Sequence, residues 1–493
     1  MMMNKSILLG RVTYLSILGI ALAACSSDIG RLNKDTREHI EKAYADPRLE
    51  NSSISLIVRN MESGEIMYEK NSRKSLIPAS AMKLVTSSVA LDLLGLDYKF
   101  RTQLIVNGVQ NHNVLHGNVI IHGEGDPYIE LKDYYQLISA LEQKDITSVS
   151  GKVIIDDSWF DNRLLGNGWE QNDESEYYSP PISAIMFSEA GNPPGTVLIN
   201  VKFNGYDRDH TIVDMIPENN DLLVINNSIA CNNRKINYGT LNIERLHGSK
   251  HIIVSGCLAE KRTYFVTIPD PKDFVENKIK DYLDSKKIDI LNEPFYANND
   301  NVIATHFSPK IIRMYTRFLK KSDNAMAEVL VKTIGRKYNN NGSTVSGISV
   351  IYNYLRTEGF YLAELSLVDG SGLSRKNYLT TRFITDLMIH NSKKWWFSQW
   401  RDSLPKVGGR TLSTYNPESQ GTLKGRLQNL PNDVIVYAKT GSMSGVSSIS
   451  GYVCNKYSKC YVFSFLVNNF FGSIKDIEDN AVSSIATQLS EVD

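Results

Sequence analysis

Ser80 and Lys83 stand three positions apart in the run Pro78-Ala79-Ser80-Ala81-Met82-Lys83-Leu84, and that pairing has a chemical use. A serine hydroxyl attacks a carbonyl poorly unless a base takes its proton, and a lysine in a desolvated, cation-rich pocket can lose enough basicity to be that base. Apolar Met82, Val85, Val89 and Leu93 recur at helical spacing, which predicts an amphipathic helix with Ser80 at or just inside its N-terminus. Lys83 then lies one turn on, on the same face. Backbone N–H groups at such a terminus can stabilise a developing oxyanion. Taken alone, the pair also reads as a capping serine followed by a surface lysine. The same spacing recurs at Ser403-Leu404-Pro405-Lys406, where Pro405 and the following Gly408-Gly409 exclude a buried helix.

Two further stretches carry polar groups suited to the same chemistry. Ser322-Asp323-Asn324 leads into the apolar run Ala325 to Val331, which reads as a buried or half-buried helix. Lys439-Thr440-Gly441-Ser442 ends the apolar run Val434 to Ala438, which reads as a strand. A strand-borne lysine and threonine facing a cleft would bind a carboxylate by charge-assisted hydrogen bonds, and the glycine beside them would let a substrate backbone come close. Singly, the first of these is an ordinary helix cap and the second an ordinary turn.

The elements that must position these groups follow from periodicity and turn signals. Ser53 to Val58 and Glu65 to Tyr68 read as strands joined at Glu62-Ser63-Gly64. From about Lys99 the chain takes on a β-rich style, with strands at Arg101 to Val106, Gly117 to His122, Gly151 to Asp156 and Thr196 to Phe203, continuing through 204 to 268. Helical periodicity returns at Asp273 to Ser285, Lys310 to Leu319, Ala325 to Val331, Val345 to Glu358 and Thr380 to Ile389. Strands Val434 to Thr440, Ser447 to Val453 and Tyr461 to Val467 and a last helix from Ile474 to Leu489 close the chain. If the first and last strands share a sheet, the outer segments form one discontinuous domain and the β-rich middle is looped out of it.

The 493 residues are 42% hydrophobic and 22% charged, with 54 basic and 54 acidic side chains. That balance suits a globular protein of several domains and gives no sign of a nucleic-acid partner. Lys5 and Arg11, the apolar stretch Tyr14 to Ala24 and the sequence Leu22-Ala23-Ala24-Cys25 form a targeting segment over residues 1–25. It resembles a bacterial lipobox, in which Cys25 would become the lipidated N-terminus and Ser26-Ser27 would suit outer-membrane delivery in a Gram-negative cell. An ordinary secretory signal cut after Ala24 is the alternative. Four cysteines remain in an even, disulfide-permissive set. Cys454 and Cys460 flank a hairpin turn and are expected to pair, leaving Cys231 for Cys257 by exclusion. A metal site is the competing use of these thiols, but no histidine cluster or Cys-x-x-Cys accompanies them. No metal and no cofactor is expected.

Ser-x-x-Lys, Ser-x-Asn and Lys-Thr-Gly in this order are the signature of penicillin-binding proteins and class A β-lactamases. From Ser80 to Ser322 is 242 positions, and with that insertion the chain resembles the class C low-molecular-mass penicillin-binding proteins. These are the peptidase S13 family of D-alanyl-D-alanine carboxypeptidases and endopeptidases. The resemblance extends to Pro78 to Lys83, Leu94-Gly95, Gly123 to Pro127, Asp156 to Ser158 with Phe160, Asp369 to Ser374, Gly421 to Leu423 and Ser450 to Tyr452. Ser442 stands where threonine is commoner.

The resemblance implies an α/β (α+β) fold. A discontinuous transpeptidase-like domain, an antiparallel sheet flanked by helices, would span 26–98 and 290–493. An inserted β-rich domain would span 99–195 and 265–289, with a nested domain at 196–264. It implies acyl transfer in which Ser80 is the nucleophile, Lys83 its base, Ser322 a proton bridge and Asn324 an orienting amide. Lys439 and Thr440 would hold the terminal carboxylate, Gly441 would leave the substrate room, and the N–H groups of Ser80 and Ser442 would form the oxyanion hole. Asp173, with Trp169 nearby, would meet the ammonium end of a diaminopimelate residue; a solvated acidic loop is the plainer reading of Asp173, Glu174 and Glu176. The expected partners are peptidoglycan stem peptides ending in D-Ala-D-Ala, β-lactam antibiotics and a membrane reached through the lipid anchor, in the periplasm. A β-lactamase and a non-catalytic envelope scaffold or β-lactam sensor are the competing functions.

Overall fold

The computed structural model describes residues 31–492 except 190, 205–209, 220, 232–240, 296–298 and 411–416. The expected leader and Cys25 lie outside the described residues. A six-stranded antiparallel sheet runs in the order Lys406–Gly408, Ile435–Met443, Val446–Cys454, Cys460–Asn468, Ser53–Asn60, Ile66–Lys70. The first and last strands of the chain therefore pair in one sheet. Every residue of Val446–Cys454 and Cys460–Asn468 is buried, because both faces of this sheet are covered.

The alternation along one strand assigns the two faces. Val434, Val436 and Ala438 join the core formed with the first and last helices, Lys34–Tyr44 and Lys475–Ser490. Ile435 and Tyr437 point the other way, into a core filled by the helices Met82–Leu94, Ile311–Lys321, Asn324–Asn339, Thr344–Thr357 and Thr381–Ser392. A period of two along the strand thus divides the domain into two layers of packing.

The expected amphipathic helix after Ser80 is not amphipathic: every residue from Met82 to Leu91 is buried. Its polar side chains are satisfied from neighbouring elements. Thr86 donates to the Gly370 carbonyl at 2.7 Å, Ser87 Oγ accepts from Trp400 Nε1 at 2.8 Å, and Ser88 donates back to the Leu84 carbonyl at 2.8 Å. Short hydroxyls with local or cross-element partners let a helix lie in the middle of a core without orphaned polar groups.

The long insertion builds a second sheet, Asp289–Ile290, Ser148–Val149, Val114–Gly123, Arg101–Asn111, Asp300–Phe307, with Val153–Asp156 paired to Val114–Gly123. Asp300–Phe307 pairs with Arg101–Asn111, so the inserted sheet takes in residues past 290, where the sequence reading resumes the outer domain. Two three-stranded sheets follow between Thr196 and Thr267. Their inward residues, Val197, Ile199, Val201 and Val254, share one core with Leu104, Ile121 and Leu283. A helix unforeseen in the sequence reading, Leu131–Glu142, buries Leu131, Tyr134, Leu137, Ile138 and Leu141 in that core. Both expected disulfides form, Cys231–Cys257 and Cys454–Cys460.

Candidate active site

Ser80 sits in a single 3-10 turn, Ala79–Ala81, that runs directly into the helix Met82–Leu94. Two glycines let other segments press against this turn. A Cβ on Gly372 would lie 1.9 Å from the Ala79 carbonyl oxygen, and one on Gly441 would lie 2.6 Å from the Ser80 nitrogen. The loop Asp369–Ser374 and the strand Ile435–Met443 can therefore approach the serine closely only because neither carries a side chain at its contact point.

Ser322-Asp323-Asn324 is the joint between two helices. Ser322 closes Ile311–Lys321 in the left-handed conformation (φ 59°). Asp323 caps the next helix by accepting from the Met326 N–H at 3.2 Å, and Asn324 is that helix's first residue. The motif is thus a cap as well as a cluster of functional groups: the turn that ends one helix and starts the next aims both side chains at Lys83 and Lys439.

Lys83 is fully buried, and its Nζ donates to Ser80 Oγ at 3.0 Å, Asn324 Oδ1 at 2.6 Å and the Ser371 carbonyl at 2.7 Å. Burial brings its pKa down to about 8, against the opposing charge of nearby acids, Asp369 first among them. Lys439 is also fully buried, and donates to Ser322 Oγ at 2.9 Å and to the Thr440 carbonyl at 2.7 Å. Burial, and then the charge of Lys83, hold it well below the ordinary lysine range. Two lysines, two serines and an asparagine from three distant stretches thus converge in one centre, the lysines buried and Ser80, Ser322 and Asn324 half-buried. Lys83 at about 8 keeps a usable neutral fraction near neutral pH, and its line to Ser80 Oγ can carry the hydroxyl proton.

Supporting groups complete the wall. Thr440 Oγ1 donates to Thr422 Oγ1 at 2.7 Å. Asn324 Nδ2 donates to the Tyr178 carbonyl at 2.6 Å, tying the inserted segment to the centre. Asp173 accepts from the Tyr178 hydroxyl at 2.9 Å, so the predicted carboxylate is held by the residue whose carbonyl fixes Asn324. Trp169 donates through Nε1 to Asp369 at 3.0 Å, which makes it a buttress of the Asp369–Ser374 loop. Glu174 pairs with Arg245 at 2.9 Å and with His247, so the acidic loop is anchored to the nested sheets and is not simply solvated. A cavity of about 250 Å³ adjoins Ser322 and Asn324, walled by Tyr177, Tyr178, Pro193 and Phe265. The second Ser-x-x-Lys divides between the end of the helix Phe397–Ser403 and the start of the strand Lys406–Gly408.

Sequence reasoning missed Glu328 and the backbone of Ser371. Glu328 accepts from the Gly370 N–H at 3.0 Å and the Ser371 N–H at 2.8 Å, and Ser371 in turn gives its carbonyl to Lys83. The available signal was one acid inside the apolar run Ala325 to Val331, where an ionisable group must have a partner.

A model of the D-Ala-D-Ala carboxypeptidase 3 (S13) family matches residues 36–490. The D-alanyl-D-alanine carboxypeptidase of Actinomadura sp. (strain R39) is 30% identical over 453 residues, covering 89% of this chain and 82% of that protein. The D-alanyl-D-alanine carboxypeptidase DacB of Haemophilus influenzae is 25% identical over 447 residues, covering 87% and 88%. Among solved structures, penicillin binding protein 4 (dacB) from Haemophilus influenzae has the same fold, with a TM-score of 0.77 at 21% identity over 92% of this chain and 99% of that one.

Proposed function

The chain belongs to the D-Ala-D-Ala carboxypeptidase 3 (S13) family, and from that premise we propose how its Ser80 centre performs the family's reaction. The protein is a serine-type D-Ala-D-Ala carboxypeptidase acting on peptidoglycan stem peptides, and it is acylated by β-lactams. The observation that carries the assignment of roles is the Lys83 ammonium, buried and bonded at once to Ser80, Asn324 and Ser371.

Neutral Lys83 takes the Ser80 hydroxyl proton as Oγ bonds to the carbonyl carbon between the two D-alanines. The oxyanion that forms is held by the N–H groups of Ser80 and Ser442, a pairing supported by the close approach of the Gly441 strand to the Ser80 nitrogen. Collapse breaks the C–N bond, and the proton that Lys83 took from Ser80 passes through Ser322 to the leaving amine of the terminal D-alanine, which returns Lys83 to its neutral form. Lys439 and Thr440 hold that residue's carboxylate. Burial disfavours a lone charge on Lys439, so the incoming carboxylate supplies the partner its ammonium form needs. Water then cleaves the Ser80 ester and restores the serine.

Asp173 meets the ammonium end of a diaminopimelate side chain on the substrate. Its support is its hydrogen bond to the hydroxyl of Tyr178, a residue that lines the cavity beside Asn324. The same centre also cuts D-Ala-linked cross-links, a reaction that breaks the same kind of bond with a larger leaving amine. The protein works in the periplasm, tethered through lipidated Cys25, a reading supported by the leader sequence and by two disulfides that suit an oxidising compartment.

Purified protein lacking residues 1–25 is incubated with a fluorescent penicillin beside a Ser80→Ala variant, then with D-Ala-D-Ala muropeptides. Stable label lost in the variant, with D-alanine released, is expected; monomers produced from cross-linked dimers would establish the endopeptidase activity. Labelling without any peptide turnover would mean a sensor, rapid release of the penicillin a β-lactamase, and labelling of Ser80→Ala a different nucleophile. For the anchor, Cys25→Ala should move the full-length protein from the membrane to the soluble fraction.

A further inference from the structure

Glu328 lies one turn beyond Asn324 on the helix Asn324–Asn339, wholly inside the core. Its two oxygens are treated very differently. Oε1 accepts from both the Gly370 and the Ser371 N–H groups, whereas Oε2 is buried and has no hydrogen-bond partner among the described residues. A carboxylate in that setting would leave one charged oxygen bare in a low-dielectric interior, which is costly. The neutral acid avoids the charge while its carbonyl oxygen still accepts both amide hydrogens.

The groups facing Glu328 favour the neutral form further. Asp369, on the loop it holds, is a second buried acid. Its carboxylate already accepts from the Gly372 and Ser374 N–H groups and the Asn377 amide at 2.7 Å each, and from Trp169 at 3.0 Å. Lys332, one turn on along the same helix, is taken by Asp161 at 2.7 Å. Lys83, from the serine helix, donates to Ser80, Asn324 and Ser371 and does not hydrogen-bond Glu328. Two acids therefore flank one loop with no cation bonded directly to Glu328. Burial, followed by the charge of Asp369, accordingly pushes Glu328 up to about 8.

We propose that Glu328 is a positioning residue for acylation: in its neutral form it clamps the Gly370–Ser371 backbone and so fixes the Ser371 carbonyl against Lys83 Nζ. This rests on the reading of Lys83 as the base for Ser80. The clamp sets where the lysine's nitrogen stands, and the missing charge decides how readily that nitrogen gives up its own proton. An ionised Glu328 would stabilise the ammonium form and withdraw the base, whereas the neutral acid leaves burial to lower the lysine.

The test is the second-order rate of acylation by a fluorescent penicillin as a function of pH. It is measured for wild type, Glu328→Gln, Glu328→Ala and Ser80→Ala, with thermal unfolding of each as a check on folding. Glu328→Gln keeps both the carbonyl acceptor and the absence of charge, so it should acylate within about threefold of wild type with its acid limb at the same pH. Glu328→Ala loses the acceptor and should acylate at least ~10-fold more slowly, the scale of a misplaced catalytic group, at every pH. A folded Glu328→Gln enzyme slowed ~10-fold or more at pH 7 would mean that the charge itself is needed and would overturn the proposal. So would a Glu328→Ala enzyme as fast as wild type, or an acid limb in Glu328→Gln displaced to lower pH, which would show that Glu328 carries its charge while Lys83 titrates. Labelling of Ser80→Ala would instead sink the underlying assignment of the nucleophile, a distinguishable result.

Discussion

Gly441→Ala is a small change with a large expected effect, because the added methyl group has nowhere to go. Its Cβ would lie 2.4 Å from Ser448 Oγ, 2.6 Å from the Ser80 nitrogen and 2.9 Å from Ala79 Cβ. The Ser448 hydroxyl can rotate, but it already donates to the Pro78 carbonyl at 2.8 Å, and the Ser80 nitrogen belongs to the backbone. Ordinary contact begins at 3.4 Å, so relieving the Ser80 clash requires a separation of about 0.8 Å (3.4 − 2.6) between the strand and the nucleophile turn. That movement opens the space between Ser80 and the strand carrying Lys439, Thr440 and Ser442. A displacement near 1 Å at a reacting centre costs on the order of 100-fold in rate, or about 2.7 kcal/mol of barrier. The overpacking itself costs about 1–3 kcal/mol of stability. Stopped-flow acylation by a fluorescent penicillin, with a parallel thermal melt, separates the two losses. A folded variant that acylates within about threefold of wild type would refute the claim that this glycine sets the approach of strand to serine.

Three other outcomes follow from the same geometry. With Lys83 as the proposed base and its pKa lowered to about 8, acylation should rise with pH, pass half its maximum near pH 8 and level off about one unit higher. At pH 7 about one lysine in ten is neutral, against roughly one in 2,500 for an ordinary lysine; a rate still climbing well above pH 9 would contradict the buried-base account. Asp173→Ala should leave acylation by a simple penicillin intact and weaken turnover of a diaminopimelate-containing muropeptide by about tenfold, and equal kcat/KM for the peptide would remove Asp173 from recognition. The disulfides span separations of 26 residues for Cys231–Cys257 and 6 for Cys454–Cys460, for which loop closure gives about 3.5 and about 2.2 kcal/mol. Replacing the first pair by serines should therefore lower the melting temperature more than replacing the second, while sparing penicillin acylation.

Much of the centre is legible in the sequence because each motif sits where an element or an apolar run ends or begins. Ser80 begins a helix and Ser322 to Asn324 join two, so local cap chemistry marks those groups, whereas Lys439 to Ser442 fill the second half of a strand that runs on to Met443 and are marked by the end of the apolar run before them. Glu328 and Ser371 escape that reading for a physical reason. The first acts through backbone amides of a loop 42 and 43 positions away, and the second through its carbonyl, which no side-chain pattern reports. The burial of the serine helix is hidden as well, since Thr86, Ser87 and Ser88 look solvent-facing until Gly370, Trp400 and Leu84 supply their partners. The helix Leu131–Glu142 does carry the one-faced spacing Leu131, Tyr134, Ile138 and Leu141, but the strand-rich runs on either side obscure it. Asp300–Phe307 carries the opposite lesson: an edge strand with mostly exposed and half-exposed residues offers no apolar alternation to read.

Ser53–Asn60 pairs along its whole length with Cys460–Asn468, so a strand made early must wait for one made about 400 residues later. During synthesis Ser80 leaves the ribosome long before Lys439 and before the strand that closes its sheet. Bringing those ends together means closing a loop of about 400 residues, a slow, non-local event compared with helix formation. A copy broken off before Cys460 has Ser80 and Lys83 but no completed floor beneath them. On the proposed roles, arming of Ser80 thereby waits on closure of the sheet, and fragments without Cys460–Asn468 would lack the means to cut a cell wall.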